Sequence, residues 1–180
     1  MSKSLGNTVD PLDIVKEYGA DALRYYVARE LSPFEDSPFT SEKFKEGYNA
    51  GLANGIGNLT SRIMKMATTY GVTYNDYVGE KEDALYSFNY EKNYDSFNIH
   101  QEADAIWKDI AALDTYIQRE EPFKKIKTNE VEGKKDVAYL LSHLLRVAIR
   151  MTPILPNTSE VIQSLIKENK MPETPLFMRK

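Results

Sequence analysis

Cysteine is absent from the sequence. This absence excludes disulfide bridges and any metal site built from thiolates, and it agrees with a reducing cytosol. The sequence also contains no run of about 18 apolar residues, so no segment of it is expected to span a membrane. Its first residues, Met1-Ser2-Lys3-Ser4-Leu5-Gly6-Asn7, lack the apolar core of a secretory signal peptide. We therefore expect a cytoplasmic protein that does not use a membrane as a partner.

Neither sign of charge is in large excess. The sequence has 23 lysine and arginine residues against 27 aspartate and glutamate residues, for a formal net charge of −4. Non-specific nucleic-acid binders are usually basic, so the total argues against that class. The basic residues are nevertheless concentrated between residues 119 and 135, and an acidic protein can still contact phosphates through such a local patch. The patch consists of Arg119, Lys124, Lys125, Lys127, Lys134 and Lys135.

Patterns typical of β-strands are also missing, and helical signals begin near the N-terminus. Asp10 is placed to cap a helix whose first position is Pro11, and Gly19 is placed to end it. A second helix is predicted over 20–30, with Leu23, Tyr26 and Val27 on one face. The loop over 32–38 contains two prolines, which cannot continue a helix. We place the domain boundary there, with a short segment at 1–39 and a helical domain at 40–180.

The second segment carries two long apolar seams. A helix is predicted from Thr40 or Ser41 to Tyr70, although its interior holds Gly51, Gly55 and Gly57, and another over 97–120 that Pro122 ends. A connector with one short helix is expected over 71–94. The first seam comprises Leu52, Ile56, Leu59, Ile63 and Met66, and the second comprises Ala103, Ile106, Ile110, Leu113 and Ile117. Trp107, between two isoleucines of the second seam, is expected in the core.

Two further helices complete the expected fold. One runs over 136–152 and ends before Pro153 and Pro156, and the next opens at Asn157, which resembles the first residue of a capping box, and continues to Leu165. The last ten residues look irregular. The sequence therefore predicts a monomeric, all-α antiparallel helix bundle with short connections.

Several sequence blocks resemble class I aminoacyl-tRNA synthetases. The run Met1-Ser2-Lys3-Ser4, followed by Leu5-Gly6-Asn7 and Asp10-Pro11, is similar to the Lys-Met-Ser-Lys-Ser loop of that class, and Gly19-Ala20-Asp21-Ala22-Leu23-Arg24 extends the match. These blocks are shared by the isoleucine, valine, leucine, cysteine and methionine enzymes. Blocks at Tyr25-Tyr26, 28–30, 33–36, 48–59, 116–117, 121–122 and 153–156 look like the methionyl-tRNA synthetases in particular.

The sequence departs from that family's pattern in four places. The first lysine of the signature loop is absent, and so is the Rossmann domain with its His-Ile-Gly-His signature. Phe123 replaces the tryptophan that usually follows Glu-Pro, and Gly51 and Gly55 stand where acidic residues are common. The resemblance implies a C-terminal fragment of a methionine–tRNA ligase, which joins methionine to tRNA with ATP and releases AMP and pyrophosphate.

The resemblance assigns the N-terminal residues to the ATP loop. It implies that Lys3 stabilises charge on the ATP phosphates in the parent enzyme, with Met1, Ser2 and Ser4 in the same loop. ATP and Mg²⁺ would serve that enzyme, whereas the fragment would hold no cofactor and would be catalytically inactive without its N-terminal catalytic domain. Viewed alone, Lys3 is a solvated lysine in a mobile terminus.

The resemblance places anticodon recognition on three residues. Asn58 and Arg62, one helical turn apart, match positions that read anticodon bases, and Phe123 matches a ring that stacks on a base. Lys124, Lys125 and Lys127 would contact the tRNA backbone. The alternatives are a hydrated surface pair at 58 and 62 and a core phenylalanine in a loop at 123. The expected partner is the anticodon stem-loop of tRNA(Met).

Two other functions remain open from the sequence. One is a non-enzymatic helical interaction module that has lost its catalytic half. The other is a different class I synthetase, for a branched aliphatic amino acid. His100 and His143 are far apart in the sequence and have no cysteine partners, so neither indicates a metal site.

Overall fold

The computed structural model describes residues 9–32, 35, 39–77 and 98–180, and all regular structure in these ranges is helical. The predicted all-α helical bundle is therefore confirmed. None of the described helices has the length and apolar character that crossing a lipid bilayer requires. The helices are α1 (Pro11–Tyr18), α2 (Ala20–Tyr25, continued as a π-helical turn Tyr26–Glu30), α3 (Ser41–Gly47), a π-helical segment (Tyr48–Gly57), α4 (Asn58–Tyr70), a 3₁₀ turn (Tyr74–Asp76), α5 (Ile99–Glu120), α6 (Pro122–Thr128), α7 (Glu130–Arg150) and α8 (Pro156–Glu168).

The predicted long helix is present from α3 to α4 and carries the first of the two predicted seams. Thr40 caps it by accepting a hydrogen bond from the Lys43 N–H at 3.2 Å. Gly55 has a non-helical backbone (φ −81°, ψ −110°), which kinks the helix in its π-helical part. The five seam residues predicted from Leu52 to Met66 are all buried, so the seam is confirmed.

The N-terminal helices pack on the end of the bundle through polar contacts as well as apolar ones. Asp10 accepts a hydrogen bond from the Leu12 N–H at 2.8 Å and Gly19 follows α1, as predicted. Arg24 donates from its Nε to the carbonyl of Ile154 at 2.8 Å, and from its Nη2 to the carbonyl of Pro153 at 2.6 Å. These contacts fix α2 against the turn between α7 and α8.

The cap of α8 differs from the prediction, which named Asn157. That helix begins at Pro156, and the Asn157 side chain does not cap it. Instead the carboxylate of Asp21, on α2, accepts hydrogen bonds from the Thr158 N–H and hydroxyl, each at 2.7 Å. A negative charge at a helix N-terminus is favourable wherever it comes from in the chain, so a distant residue can replace the local cap.

Several other predicted boundaries and faces were wrong. Val27 is 54% exposed, whereas Tyr26 of the same predicted face is buried together with Ala22 and Tyr25. The helix expected to begin at residue 136 begins at Glu130, where Asn129 caps it. Pro122 does end α5, but it also opens α6, because proline suits the first position of a helix. Phe97 and residues 78–94 of the predicted connector lie outside the described residues, as do both prolines of the 32–38 loop.

A buried ionic cluster joins α5 to α7. Arg150 donates to the Glu102 carboxylate from Nη2 at 2.7 Å and from Nε at 3.1 Å, and its Nη1 contacts Asp109. Glu102 has no exposed surface, and the other two residues are also buried. Burial raises the pKa of Asp109 to about 6, although the positive charge of Arg150 acts in the opposite direction. Because Arg150 contacts residues near the start of α5, α7 runs antiparallel to α5.

The last residues form an irregular tail, as predicted, and this tail lies against the long helix. The Tyr48 hydroxyl donates to the carbonyl of Met178 at 2.9 Å, and the ring of Phe177 packs on that of Tyr48 with centroids 6.0 Å apart. The amide of Asn49 exchanges two hydrogen bonds with the backbone of Lys180, at 2.9 and 3.0 Å. The tail therefore supports the glycine-containing segment that precedes α4.

Candidate functional site

Two of the predicted anticodon residues lie on the first turns of α4. Asn58 is the first residue of this helix and is exposed. Arg62 follows one turn later, so the two side chains share a face of the helix. The neighbouring face, roughly a third of a turn away, holds Leu59 and Ile63, which are buried in the seam. The seam thus fixes the rotation of α4, and the rotation places an amide and a guanidinium together at the surface.

Arg62 forms an ion pair with Asp114 on α5. Their side chains are 35% and 38% exposed, so the pair is at the surface. The second carboxylate oxygen of Asp114 accepts a hydrogen bond from the Gln118 amide at 2.6 Å. Asp114 therefore binds the Arg62 guanidinium while Gln118 binds Asp114, and the two contacts together restrict the orientation of the guanidinium.

A groove of about 370 Å³ lies beside this pair, between the π-helical segment and α5. Its walls include Arg29, Asn54, Trp107 and Asp114. The Arg29 guanidinium lies 5.4 Å from the Trp107 ring centroid. The Trp107 N–H donates to the carbonyl of Gly51 at 3.0 Å, and the side chain is buried, which confirms its prediction as a core residue.

Phe123 lies on the first turn of α6 and not in a loop. It follows Glu121, whose left-handed backbone (φ 43°) turns the chain between α5 and α6. Its side chain is 41% exposed, and the Lys124 ammonium lies 6.0 Å from its ring centroid. An exposed ring beside a cation is able to stack on an unpaired base.

The three lysines that follow Phe123 have different surroundings. Lys125 binds Glu120 at 2.8 Å and Asp136 at 2.7 Å, and these contacts raise its pKa through hydrogen bonding and charge. Lys124 forms an exposed pair with Glu121 at 2.6 Å. Lys127 is exposed. Lys125 is therefore committed to joining three helices, whereas Lys124 and Lys127 are better placed for phosphates.

The direction of α5 changes the expected geometry of the site. The Gly51–Trp107 hydrogen bond and the Arg62–Asp114 ion pair join residues that advance together along the two helices, so α5 runs parallel to the long helix. The antiparallel packing expected for this pair was wrong. Six residues separate Asp114 from the end of α5, or roughly 9 Å along its axis, and Phe123 lies beyond that end. That Phe123 lies near Asn58 and Arg62, as a shared role in reading one anticodon requires, stays a prediction.

The other predicted functional residues are not part of this surface. Met1, Ser2, Lys3 and Ser4 lie outside the described residues. A larger cavity of about 1140 Å³ lies between α2 and the start of α5, with Leu23, Val27 and Ile99 among its walls. None of the predicted site residues in the described part of the chain lines it.

Asp114 is the polar residue of this surface that the sequence analysis missed. It follows Leu113 of the second seam, and its partner Arg62 is 52 positions away in the chain. The sequence did show the Asp114 carboxylate and the Gln118 amide one helical turn apart at the edge of that seam. Such a pair is common on solvated helices, so it did not indicate a functional site. Its meaning depends on which helix packs beside it.

Comparisons with known protein families agree with this architecture. Residues 1–64 match the family model described as tRNA synthetases class I (M). The chain is 32% identical over 174 residues to the methionine–tRNA ligase of Thermosynechococcus vestitus, and 33% identical over 175 residues to that of Bacillus subtilis. It is 35% identical over 176 residues to the enzyme of Clostridium tetani. These alignments cover 90%, 89% and 90% of this chain, but 33%, 26% and 27% of the relatives.

Solved structures share the fold. The chain is similar to the methionyl-tRNA synthetase of Mycobacterium tuberculosis in its complex with methionyl-adenylate, with a TM-score of 0.80 and 24% identity. The similarity covers 92% of this chain and 35% of that one. The free form of the same enzyme also gives a TM-score of 0.80, at 20% identity.

Proposed function

Because about nine-tenths of the chain is similar to methionine–tRNA ligases, we propose that it recognises the anticodon stem-loop of tRNA(Met). It spans about a third of the length of the relatives it matches, or less. The helical domain is the reader of the anticodon in this proposal. The parent enzyme would join methionine to tRNA with ATP and Mg²⁺, and Lys3 in the signature loop would stabilise charge on the ATP phosphates.

The observation that carries the proposal is the pair of polar side chains on one face of α4. Asn58 offers a donor and an acceptor from its amide, and Arg62 offers a planar fork of N–H donors. These are the groups that read the hydrogen-bonding edge of an unpaired base. Their position is restrained because the buried seam fixes the rotation of the helix and Asp114 binds the guanidinium.

The surface of α6 would supply the other contacts that an unpaired strand needs. Phe123 offers an exposed ring for stacking, and Lys124 and Lys127 lie on the same short helix for the phosphates. Stacking of a base on an aromatic side chain contributes about 1–3 kcal/mol. Phenylalanine offers less area than tryptophan, so the stacking contribution at this position is expected at the lower end of that range.

The first test is Arg62→Ala. We expect it to weaken binding of a CAU anticodon stem-loop by about 1–3 kcal/mol, or roughly 5- to 150-fold, because a forked base contact is removed. Fluorescence anisotropy titration with labelled stem-loops at fixed salt measures the change. Lys65→Ala is the matched control, since Lys65 is exposed on the same helix and its loss removes the same charge.

The specificity of that loss decides between the candidate functions. The control should weaken all stem-loops slightly and equally, whereas Arg62→Ala should reduce the preference for CAU over its single-base variants. Equal affinity of the unaltered chain for CAU and for valine or isoleucine anticodons would contradict the proposal. Absence of any stem-loop binding would leave the helical interaction module as the better description.

The second test is a pair of substitutions at Phe123. Phe123→Leu keeps an apolar side chain but removes the stacking face, so CAU binding should fall by roughly 1 kcal/mol or more. Phe123→Trp enlarges the ring and should bind at least as tightly as the unaltered chain. Because the side chain is 41% exposed, both variants should keep the thermal midpoint within a few degrees. Equal affinities for all three side chains would exclude stacking at this position.

A further inference from the structure

The Arg62 guanidinium has one occupied side and one accessible side. Asp114 contacts its Nη1, and Asp114 is the one partner of Arg62 among the residues that the structure describes. A guanidinium has five N–H donors. The donors on Nε and Nη2 are therefore available to a ligand, in a side chain that is 35% exposed.

Asp114 is itself restrained on the side away from Arg62. Its second oxygen accepts from the Gln118 amide at 2.6 Å, one turn farther along α5. Leu113, beside it in the sequence, is buried in the core, so the helix that carries the carboxylate cannot rotate freely. A mobile carboxylate would follow the guanidinium, whereas a fixed one sets its direction.

We propose that Asp114 is a positioning and specificity-determining residue for Arg62, supported by Gln118. Its carboxylate orients the free edge of the guanidinium toward a base. It also neutralises the arginine's charge, so that Arg62 reads a base edge and does not simply capture a phosphate. This inference rests on the anticodon-binding function proposed above.

The physical reason lies in the two ways in which an arginine can bind RNA. Attraction to phosphate is independent of sequence and releases counterions, so it appears as salt dependence. Contact with a base edge is directional and depends on sequence. A neighbouring carboxylate reduces the first attraction because it cancels the net charge, but it leaves the N–H donors that make the second contact.

The decisive variant is Asp114→Asn, which removes the charge while keeping the shape of the side chain. We expect tighter binding to stem-loops with altered anticodons and a loss of CAU preference of about fivefold or more. The slope of log affinity against log salt should steepen by about 0.7, the value for one added charge on a single strand. Titrations of the 180-residue chain at several salt concentrations, with CAU and single-base variants, measure both quantities.

Three further variants separate charge from position. Asp114→Glu keeps the charge and should restore most of the CAU preference. Gln118→Leu leaves the net charge unchanged, so it should lower the preference without changing the salt slope. Asp13→Asn removes the same charge from an exposed ion pair on α1 and should change neither quantity.

Combining Asp114→Asn with Arg62→Ala distinguishes failure of this inference from failure of the proposed function. In an Arg62→Ala background, Asp114→Asn should no longer affect the preference, because the residue acts through Arg62. If Arg62→Ala weakens CAU binding but Asp114→Asn changes neither preference nor slope, Asp114 has no positioning role. If Arg62→Ala has no effect at all, both the anticodon contact and the role of Asp114 are overturned. Should Asp114→Asn fail to fold, the exposed Gln118→Leu variant decides the positioning role.

Discussion

Arg150→Met is expected to destabilise the fold by about 3–5 kcal/mol at pH 7. The substitution removes the positive charge that Glu102 and Asp109 share between α5 and α7, and it leaves both carboxylates in the core. Water cannot reach Glu102 to replace the lost partner, because that side chain has no exposed surface. Equilibrium unfolding in urea, followed by circular dichroism, measures the loss.

The loss should become smaller at lower pH. The folded-state pKa of Asp109 is raised to about 6 by burial, above the unfolded value of about 3.9. A group with a raised pKa binds its proton more tightly in the folded state, so its stabilising contribution is complete below pH 4 and is lost as the pH rises through 6. Removal of Arg150 raises this pKa further, since the arginine acts to lower it. Unfolding at pH 5 should therefore show a smaller penalty than unfolding at pH 7.

Two controls define what the Arg150 result means. Arg119→Met removes an exposed arginine that pairs with Glu120, and it should change the free energy of unfolding by less than about 1 kcal/mol. A triple variant with Glu102→Gln and Asp109→Asn added should recover much of the stability, because no unpaired charge remains buried. A penalty below about 1 kcal/mol for Arg150→Met alone would mean that water enters the cluster.

Gly133→Ala is expected to have the second large effect, on stability and on binding together. Gly133 lies where α7 meets α6, and a Cβ there would be 2.6 Å from the backbone nitrogen of Ile126 and 2.8 Å from its Cα. Alanine stabilises a helix by about 1 kcal/mol relative to glycine. That gain does not remove the clash, because the backbone atoms of Ile126 cannot move aside by a change of rotamer. We expect a net loss of about 1–3 kcal/mol, typical of overpacking.

The binding effect follows from what α6 carries. Phe123 lies on the same short helix as Ile126. Displacement of Ile126 would therefore move the ring that we propose stacks on an anticodon base. CAU stem-loop affinity should fall together with the thermal midpoint. Val131→Ala, a substitution at a residue of α7 that is 65% exposed, should change neither by a comparable amount. A higher thermal unfolding midpoint for Gly133→Ala would mean that α6 does not pack tightly against α7.

The elements that the sequence predicted correctly share a local physical cause. The Asp10 cap joins atoms two residues apart, and the two apolar seams repeat at three and four residues. Such signals arise within one helix and need no knowledge of its neighbours. Asn58 and Arg62 were also predicted to share a helical face for this reason.

The elements that the sequence did not predict correctly depend on distant residues. Asp21 caps α8 from 137 positions away, and this contact made the local cap at Asn157 unnecessary. Val27 is exposed, although Tyr26 beside it is buried, because Val27 lines the cavity that the packing of α5 leaves beside α2. In each case a partner from another helix decided the outcome.

The sequence by itself determined that this protein is helical, where its seams lie and which family it resembles. The tertiary structure decided that α5 runs parallel to the long helix, that Asp114 meets Arg62, and that Arg150 pairs with two buried carboxylates. The physical reason is one of range. Backbone hydrogen bonds and side-chain periodicity act over about four residues, whereas ion pairs and close packing act between any surfaces that the folded chain brings together.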